Sequence, residues 1–187
     1  MIPSSPIVRG LLFQYAKRGN LGKLLRCESL EISWSQRLSW AIQIALGLQA
    51  IHGVNIAHLD LKSDNVVIDE LHNALIIDFS RTGQTYGWYG PEMYVENISD
   101  LTLDTLQKGD IYSFGVVLWE IATRETVFIP MNMDHKDFFI MESDPLRPRG
   151  YEELVMKCLL DSLYDRPTLV EVLSVLQTLL VEMGGRI

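Results

Sequence analysis

The sequence predicts a mainly α-helical domain of the α+β class, in which one small β-hairpin is inserted between helices. Several long segments carry apolar residues at helical spacing, and two short β-type runs are separated by turn residues. Of the 187 residues, 48% are hydrophobic and 21% are charged, which is typical of a globular core and excludes a wholly disordered chain. At roughly 150 residues per domain, this length favours a single domain.

Composition also limits the class of partner and the compartment. The chain has 16 Lys and Arg against 24 Asp and Glu, a formal charge of −8, which argues against nucleic acid and against an anionic membrane as partners. Cys27 and Cys158 lie far apart in the sequence, which excludes a disulfide scaffold and a CxxC zinc spacing. Two reduced thiols are favoured over one long-range disulfide, and together with the absence of a secretory signal pattern they predict a cytoplasmic or nuclear protein.

In the first third of the chain, one strand and two helices are predicted. Residues 7–16 form a short apolar run after two prolines and indicate a strand, and residues 21–26 indicate a short helix. Ser33 is an N-cap candidate for a long helix that ends at Gly53. Residues 38–59 contain no charged side chain, but six polar ones and Gly53 favour a helix buried in a soluble core over a membrane span.

The rest of the chain is predicted to form a β-hairpin followed by three helices. Residues 65–68 and 74–77 are the two β-type runs, and the Asp, His and Asn between them suit a hairpin turn. Asp110 begins a segment that is apolar on nearly every face and therefore predicts a central buried helix. Residues 151–160 and 168–181 predict two further helices, the second with leucine and valine repeating at helical spacing.

Polar residues that suit phosphoryl transfer fall in the loop before the hairpin and directly after it. Asp60, Lys62 and Asn65 lie close together, and Asp78 follows the second β-type run. A carboxylate can accept the proton of an attacking hydroxyl, a cation can offset charge on the transferred group, and amide and carboxylate oxygens can hold Mg²⁺. The competing interpretation is a loop in which Asp60 and Asn65 only bond to nearby backbone.

The same residues resemble the catalytic loop of eukaryotic protein kinases, H-R-D-L-x-x-x-N, followed by D-F-G. The matching positions are His58, Asp60, Leu61, Asn65, Asp78 and Phe79. Residues 90–92 resemble the family's A-P-E, residues 110–115 its D-x-W-S-x-G helix start, and residues 165–167 its D-x-R-P-T segment. Because these motifs occur in the family's order across most of the chain, the resemblance is highly specific for the fold.

The resemblance implies a protein kinase-like fold of the Ser/Thr type, represented by the helical C-terminal lobe whose hairpin carries the catalytic loop. Residues 7–16 would be the last small-lobe strand and the hinge, and residues 17–187 the large lobe, so the domain at residues 1–187 is expected to be incomplete at its N-terminus. The implied activity is Mg²⁺-dependent transfer of the ATP γ-phosphate to Ser or Thr of a protein substrate. The partner would be that substrate or another protein, and no oligomeric state is implied.

Individual roles in catalysis and nucleotide binding also follow from the resemblance. Asp60 would be the catalytic base, and Lys62 would face the γ-phosphate, as in Ser/Thr kinases more than in Tyr kinases. Asn65 and Asp78 would bind Mg²⁺. The adenine ring would contact a gatekeeper, two hinge residues and the floor of the cleft. These four residues are Phe13, Gln14, Ala16 and Val67.

Other matched residues would have structural roles. His58 and Phe79 would stack in the hydrophobic column that joins the two lobes. Asp110 would accept backbone N–H bonds from the catalytic loop. Glu92 would form an ion pair with Arg166, which would hold the segment after Asp78 against the last helices.

The sequence departs from the family pattern at several positions. It contains no Gly-rich loop, no V-A-I-K lysine and no helix glutamate to pair with that lysine, all of which hold the phosphates of ATP in the family. Leu59 replaces the loop arginine, and Ser80 replaces the D-F-G glycine. Only 15 residues run from Asp78 to Glu92, so a reduced peptide platform is expected. Either a longer native chain or a partner would therefore supply the small lobe needed for activity. The alternative is that the chain is a truncated gene product.

Two other functions are compatible with the motifs. The first is a pseudokinase that binds partners through its helical lobe without catalysis. The second is a small-molecule phosphotransferase of the aminoglycoside type, which also uses an H-x-D-x-x-x-x-N loop. The motifs at residues 90–92 and 165–167 favour the protein-kinase interpretation over the small-molecule one.

Overall fold

Five α-helices, one two-stranded hairpin and three 3₁₀ turns form the part of the chain that the computed structural model describes, residues 15–78, 85–128 and 138–185. The helices are α1 (Leu21–Leu25), α2 (Trp34–Gly53), α3 (Leu103–Thr123), α4 (Tyr151–Cys158) and α5 (Leu169–Glu182), and the strands are β1 (Val66–Ile68) and β2 (Ala74–Ile76). The 3₁₀ turns span Ser63–Asn65, Pro91–Met93 and Ile98–Asp100. The predicted mainly helical architecture with one small hairpin is confirmed. The predictions for Phe13, Gln14, Phe79, Ser80 and most of the strand at residues 7–16 lie outside the described residues.

Helix α2 begins at the capping residue that the sequence predicts. Ser33 Oγ accepts a hydrogen bond from the backbone N–H of Gln36 at 3.2 Å, which satisfies one of the free donors of the first turn. The helix is buried on more than one side, by α3, by α5 and by β2. Its end at Gly53 leads the chain into the loop that contains the predicted catalytic residues.

Helix α3 begins at Leu103, seven residues before the predicted start at Asp110. The Thr102 side chain caps it by accepting the N–H of Thr105 at 3.2 Å. The first two turns are partly exposed and largely polar, so apolar periodicity alone could not reveal them. Asp110 therefore lies within a formed helix, from which its side chain reaches sideways to a neighbouring loop.

One hydrophobic core joins the helices and the hairpin. Helix α2 packs against α5, and α3 packs against α4. The largest fully buried side chains are aromatic and come from α2, α3, α4 and residue 139: Trp40, Tyr112, Phe114, Trp119, Phe139 and Tyr151. This core holds α2 and α3 in fixed positions, and these two helices flank the loop of interest.

Side chains of α2 hold the hairpin at its turn. Trp40 Nε1 donates to the carbonyl of His72 at 2.9 Å, and Gln43 Oε1 accepts the N–H of Ala74 at 2.7 Å. Ala74 lies opposite Ile68 in the antiparallel pair. Since β1 follows the candidate catalytic loop directly, this attachment fixes the loop at its C-terminal end.

Neither a membrane-spanning helix nor a disulfide occurs in residues 15–78, 85–128 and 138–185. No helix there is both long and apolar enough to cross a membrane. Cys27 is exposed and Cys158 is buried, and both are free thiols. Burial raises the pKa of Cys158 to about 12, so this thiol stays protonated at neutral pH and is unreactive.

Candidate active site

The carboxylate of Asp60 stands at the centre of a hydrogen-bonded cluster of side chains. Its Oδ1 accepts from Thr85 Oγ1 at 2.8 Å, and its Oδ2 accepts from Lys62 Nζ at 2.9 Å and from Asn65 Nδ2 at 3.0 Å. The Asp60 side chain is only 9% exposed and that of Lys62 is 21% exposed, so water screens their charges little. The structure thus brings Asp60, Lys62 and Asn65 together within hydrogen-bond distance.

Thr85 belongs to this cluster, although sequence analysis missed it. Its hydroxyl donates to Asp60 and accepts from Lys62 Nζ at 2.6 Å, so it bridges the two charged groups. The one signal in the sequence is the short segment between Asp78 and Glu92. Thr85 lies at the middle of this segment.

Asn65 connects the Asp60 loop to the segment that precedes Asp78. Its Nδ2 also donates to the backbone carbonyl of Asp60 at 2.8 Å, and the backbone carbonyl of Asn65 accepts the N–H of Ile77 at 2.9 Å. Asp78 follows with φ of +63°, a left-handed conformation that is uncommon for residues other than glycine. Asn65 Oδ1 accepts no hydrogen bond within the described part of the chain, so it remains available as an oxygen ligand.

The imidazole ring of His58 joins the same two segments from within the core. Its Nε2 bonds to the carbonyl of Ile77 at 3.0 Å, and its Nδ1 to the N–H of Asp60 at 3.3 Å. A carbonyl accepts and an N–H donates, so these partners require the tautomer with its proton on Nε2. Since His58 is 1% exposed, it serves as a structural link that sets the position of Asp60 relative to Asp78.

Asp110 anchors the backbone of the loop, as the resemblance implies. Its carboxylate accepts the N–H groups of His58 at 2.7 Å and Leu59 at 2.8 Å, and it bonds to His52 Nε2 at 2.9 Å. Leu59 adopts φ of +70°, which costs a residue with a side chain on the order of 1 kcal/mol. The bonds from Asp110 offset this cost and hold the backbone turn immediately before Asp60.

Glu120 of α3 is a second buried carboxylate that contacts the loop. Its Oε1 accepts from Ser63 Oγ at 2.7 Å, and its Oε2 accepts from Trp88 Nε1 at 3.1 Å and from the N–H of Ser63 at 3.3 Å. Glu120 therefore ties the Asp60 loop to the segment that carries Thr85. Burial raises the pKa of Glu120 to about 7, and the bonds from Ser63 and Trp88 only partly oppose this rise.

We expect Glu120 to make the free energy of unfolding depend on pH between about 4.5 and about 7. In this range the folded protein keeps the Glu120 proton whereas the unfolded chain has lost it, so stability falls as pH rises. The Glu120→Gln variant has no carboxyl group at this position, so its stability does not fall with pH for this reason. Its unfolding free energy relative to wild type should increase by about 2–3 kcal/mol from pH 5 to pH 8, measured by urea denaturation.

The exposed Glu125, two residues after the end of α3, provides the matched control, Glu125→Gln, which also removes one carboxylate. Subtracting its pH profile isolates the contribution of burial at Glu120. A difference between Glu120→Gln and wild type that stays constant from pH 5 to pH 8 would refute the assignment of a raised pKa.

The ion pair that the resemblance implies between Glu92 and Arg166 is present. Arg166 Nη1 and Nη2 contact the two Glu92 oxygens at 2.5 and 2.7 Å. The guanidinium also donates to the carbonyls of Leu160 at 2.8 Å and Lys108 at 2.9 Å, and it lies over the ring of Tyr112. This buried group fixes the end of the segment that begins at Asp78.

Two of the residues predicted to contact adenine, Ala16 and Val67, lie within the described residues. The carbonyl of Ala16 accepts the N–H of Gly19 at 3.2 Å, and Asn20 pairs with Val67 in an isolated antiparallel bridge. The short turn at residues 16–19 therefore brings the chain after the predicted hinge to the edge of β1. The adenine contacts themselves remain predictions.

The oxygen atoms near Asp60 fit the preferences of Mg²⁺. Within the described residues, no group of three or more His, Cys, Asp or Glu side chains is arranged to hold a metal. Mg²⁺ does not require such a group, because it retains several waters and takes one or two protein oxygens plus phosphate oxygens. The Asn65 amide oxygen is a donor of this kind, and the bonds of Ile77 to Asn65 and His58 hold the residue before Asp78 against the same loop.

Comparisons of the sequence with known proteins point to one family. The family model for "Protein tyrosine and serine/threonine kinase" matches residues 5–176. The probable serine/threonine-protein kinase drkD of Dictyostelium discoideum is 30% identical over 96% of this chain and 15% of its own length. The probable kinase drkB of the same organism is 29% identical over 89% of this chain and 26% of its own length.

A third relative is cyclic GMP-binding protein C, also of Dictyostelium discoideum, with 30% identity over 89% of this chain. It is matched over 7% of its length. The chain thus spans about a quarter or less of the length of these curated relatives. The similarity concerns one domain of each.

Proposed function

Because the chain belongs to the protein tyrosine and serine/threonine kinase family, we propose that it forms the catalytic lobe for Mg²⁺-dependent transfer of the ATP γ-phosphate to protein Ser or Thr hydroxyls. One observation carries the proposal. The Asp60 carboxylate is held by Lys62, Asn65 and Thr85 in a largely buried cluster. The names of relatives as serine/threonine kinases support the choice of hydroxyl.

Asp60 is the proposed base. Its carboxylate would orient the attacking hydroxyl and accept its proton, and the bonds from Asn65 keep it in one position. The Lys62 ammonium lies 2.9 Å from this carboxylate. A cation in that place offsets the negative charge that builds on the phosphoryl group during transfer.

Asn65 Oδ1 and the Asp78 carboxylate are the proposed protein ligands of Mg²⁺. When bound, the ion would neutralise charge on the phosphates of ATP. Asn65 is suited to this role because Nδ2 is occupied by Asp60 while Oδ1 has no donor in the described residues. On the adenine side, the proposed contacts are Phe13, Gln14, Ala16 and Val67.

Residues 17–187 are proposed to form the large lobe, with residues 7–16 as the last strand of the small lobe and the hinge. The sequence has no Gly-rich loop and no V-A-I-K lysine. A small lobe, in a longer native chain or in a partner, would supply those phosphate contacts. Full catalysis is therefore assigned to the assembly of both lobes, and this chain contributes the base, the lysine and the Mg²⁺ ligands.

Thermal unfolding with and without Mg·ATP tests the nucleotide site. At a ligand concentration about 100-fold above Kd, binding adds about 2.7 kcal/mol of stability. For a domain of this size, the Tm should then rise by roughly 5–10 °C. Asp78→Ala should lose this rise because the variant lacks one of the two proposed Mg²⁺ ligands.

Asp104→Ala removes an exposed carboxylate from the first turn of α3 and serves as the matched control. The rise in Tm is measured for each variant relative to the same variant without nucleotide. A change in stability caused by the substitution itself therefore does not affect the comparison. With the small lobe present, in a longer native chain or from a partner, the proposal fails if wild type shows no rise in Tm with Mg·ATP. It also fails if Asp78→Ala rises as much as Asp104→Ala.

A further inference from the structure

An open cleft of about 590 Å³ lies between the start of α2, the α1–α2 connection, the hairpin turn and the end of α3. It does not include any residue of the candidate active site. Partly buried Leu24 and Leu30 and the ring of Trp40 provide its apolar lining. Arg37 and Arg124 add positive charge to this apolar surface.

Arg37 is held rigidly by backbone carbonyls. Its Nε donates to Ile32 at 3.2 Å, and its Nη1 donates to Ala122 at 2.8 Å and Ile121 at 3.3 Å. The last two carbonyls belong to the C-terminal turn of α3, where the helix dipole favours a cation. Nη2 makes no hydrogen bond to a described residue, so it remains available to a ligand.

Arg124 is held in a similar way at the end of α3. Its Nε donates to the carbonyl of Leu25 at 2.8 Å and its Nη2 to that of Cys27 at 2.6 Å. Its Nη1 makes no hydrogen bond to a described residue. Arg18, which is exposed, lines the same cleft, and its side chain forms no hydrogen bond with the described part of the chain.

The three arginines have no carboxylate at ion-pair distance among the described residues. Glu31 also lines the cleft. The Asp144 carboxylate accepts a hydrogen bond from Trp34 Nε1 at 3.0 Å and attracts the charge of Arg37 from beyond ion-pair distance. Burial, followed by the nearby charge of Arg124, lowers the pKa of Arg37. In a chain with a formal charge of −8, the lining of this cleft carries three arginines against one carboxylate, Glu31, so an anion bound there would reduce the repulsion between Arg37 and Arg124.

We propose that this cleft binds an acidic segment of a partner protein, whose oxyanion side chains contact Arg18, Arg37 and Arg124 while a neighbouring apolar side chain contacts Leu24 and Leu30. The volume suits several side chains. Arginine groups with a preset orientation lose little entropy when they bind a carboxylate or a phosphate. The formal net charge of −8 disfavours nucleic acid as the occupant. This proposal is independent of phosphoryl transfer.

Fluorescence anisotropy with a labelled peptide of repeated Glu-Leu-Glu units tests the proposal, with a Gln-Leu-Gln peptide as the matched probe. Wild type should bind the acidic peptide saturably at low salt, and added salt should weaken binding. Arg18→Glu should weaken binding about tenfold or more. Arg18 is exposed and its side chain has no hydrogen bond to a described residue, so the fold of this variant should be retained.

A second variant adds a negative charge to the cleft and leaves all three arginines unchanged. Gln36 lines the cleft and occupies the third position of α2 after the Ser33 cap. Glu at this position favours the helix start, so Gln36→Glu should fold well and yet bind the acidic peptide several-fold more weakly. Arg149→Glu, at an exposed arginine that lines a different cavity, is the matched control and should bind like wild type.

Three results would overturn the proposal. The first is no saturable binding of the acidic peptide to wild type, or equal binding of the Gln-Leu-Gln peptide. The second is binding to Arg18→Glu and Gln36→Glu that equals binding to Arg149→Glu. The third is full displacement of the peptide by inorganic phosphate but not by sodium chloride of the same ionic strength, which would indicate a site for small anions instead.

Discussion

Asp60→Asn is expected to abolish transfer of the ATP γ-phosphate, with a loss of about 10²–10⁴-fold in rate. The amide has nearly the shape of the carboxylate and can keep contacts with Thr85 and Asn65, but it cannot accept the proton of an attacking hydroxyl. The measurement is transfer of radiolabelled phosphate to a mixture of Ser- and Thr-containing peptides. The purified protein is assayed with its small lobe present, in the native chain or from a partner.

Asp100→Asn, at an exposed aspartate of a 3₁₀ turn, is the matched control and should leave transfer unchanged. Transfer by Asp60→Asn at the wild-type rate would show that Asp60 is not the base. A wild-type protein that gains thermal stability from Mg·ATP but transfers no phosphate would instead support the pseudokinase alternative. Phosphate transfer to a small alcohol but never to a peptide would support the small-molecule alternative.

Sequence reasoning could place Asp60, Lys62 and Asn65 in one site because they are close along the chain. A short loop followed by a hairpin leaves few ways to separate residues within six positions of one another. The motif spacing added Asp78, and the structure links it to the loop through the bond between Ile77 and Asn65. Local geometry therefore accounts for most of what the sequence predicted about this site.

The remaining members of the site depend on contacts between distant segments. Thr85 lies 25 residues from Asp60, and Glu120 lies 57 residues from Ser63. Helical periodicity assigns Glu120 only to a mostly apolar α3, where a carboxylate gives no indication of its partner. Only the packing of α3 against the loop shows that this acid joins Ser63 to Trp88.

The start of α3 shows the same limit for the fold. Ser33 could be predicted as a cap because Trp34 follows it directly and apolar residues repeat at helical spacing from Leu38. Thr102 caps α3 in the same way, but its first two turns are polar and partly exposed. Apolar periodicity therefore begins near Asp110, well inside the helix. The earlier start of α3 matters for the site. Because Asp110 lies within a formed helix, its side chain is held where it accepts the N–H groups of His58 and Leu59.

Glu92→Ala is expected to lower the free energy of unfolding by about 3–5 kcal/mol, the usual loss when one partner of a buried ion pair is removed. The Arg166 guanidinium is fully buried and contacts both Glu92 oxygens. Without Glu92, its charge would remain in the core with backbone carbonyls and the Tyr112 ring as neighbours but without the Glu92 carboxylate. Urea denaturation at constant pH and salt measures the loss.

Glu153→Ala is the matched control, because Glu153 forms an exposed ion pair with Lys157 at 2.9 Å on α4. Solvent screens that pair, so its loss should change stability little. Equal losses in Glu92→Ala and Glu153→Ala would contradict a stabilising role for the buried pair. If the buried pair does hold the segment after Asp78 in place, Glu92→Ala should also loosen Thr85, which lies seven residues earlier in the chain and bonds directly to Asp60. The expected defect in phosphoryl transfer would then arise from misplaced Thr85 while Asp60, Lys62 and Asn65 remain intact.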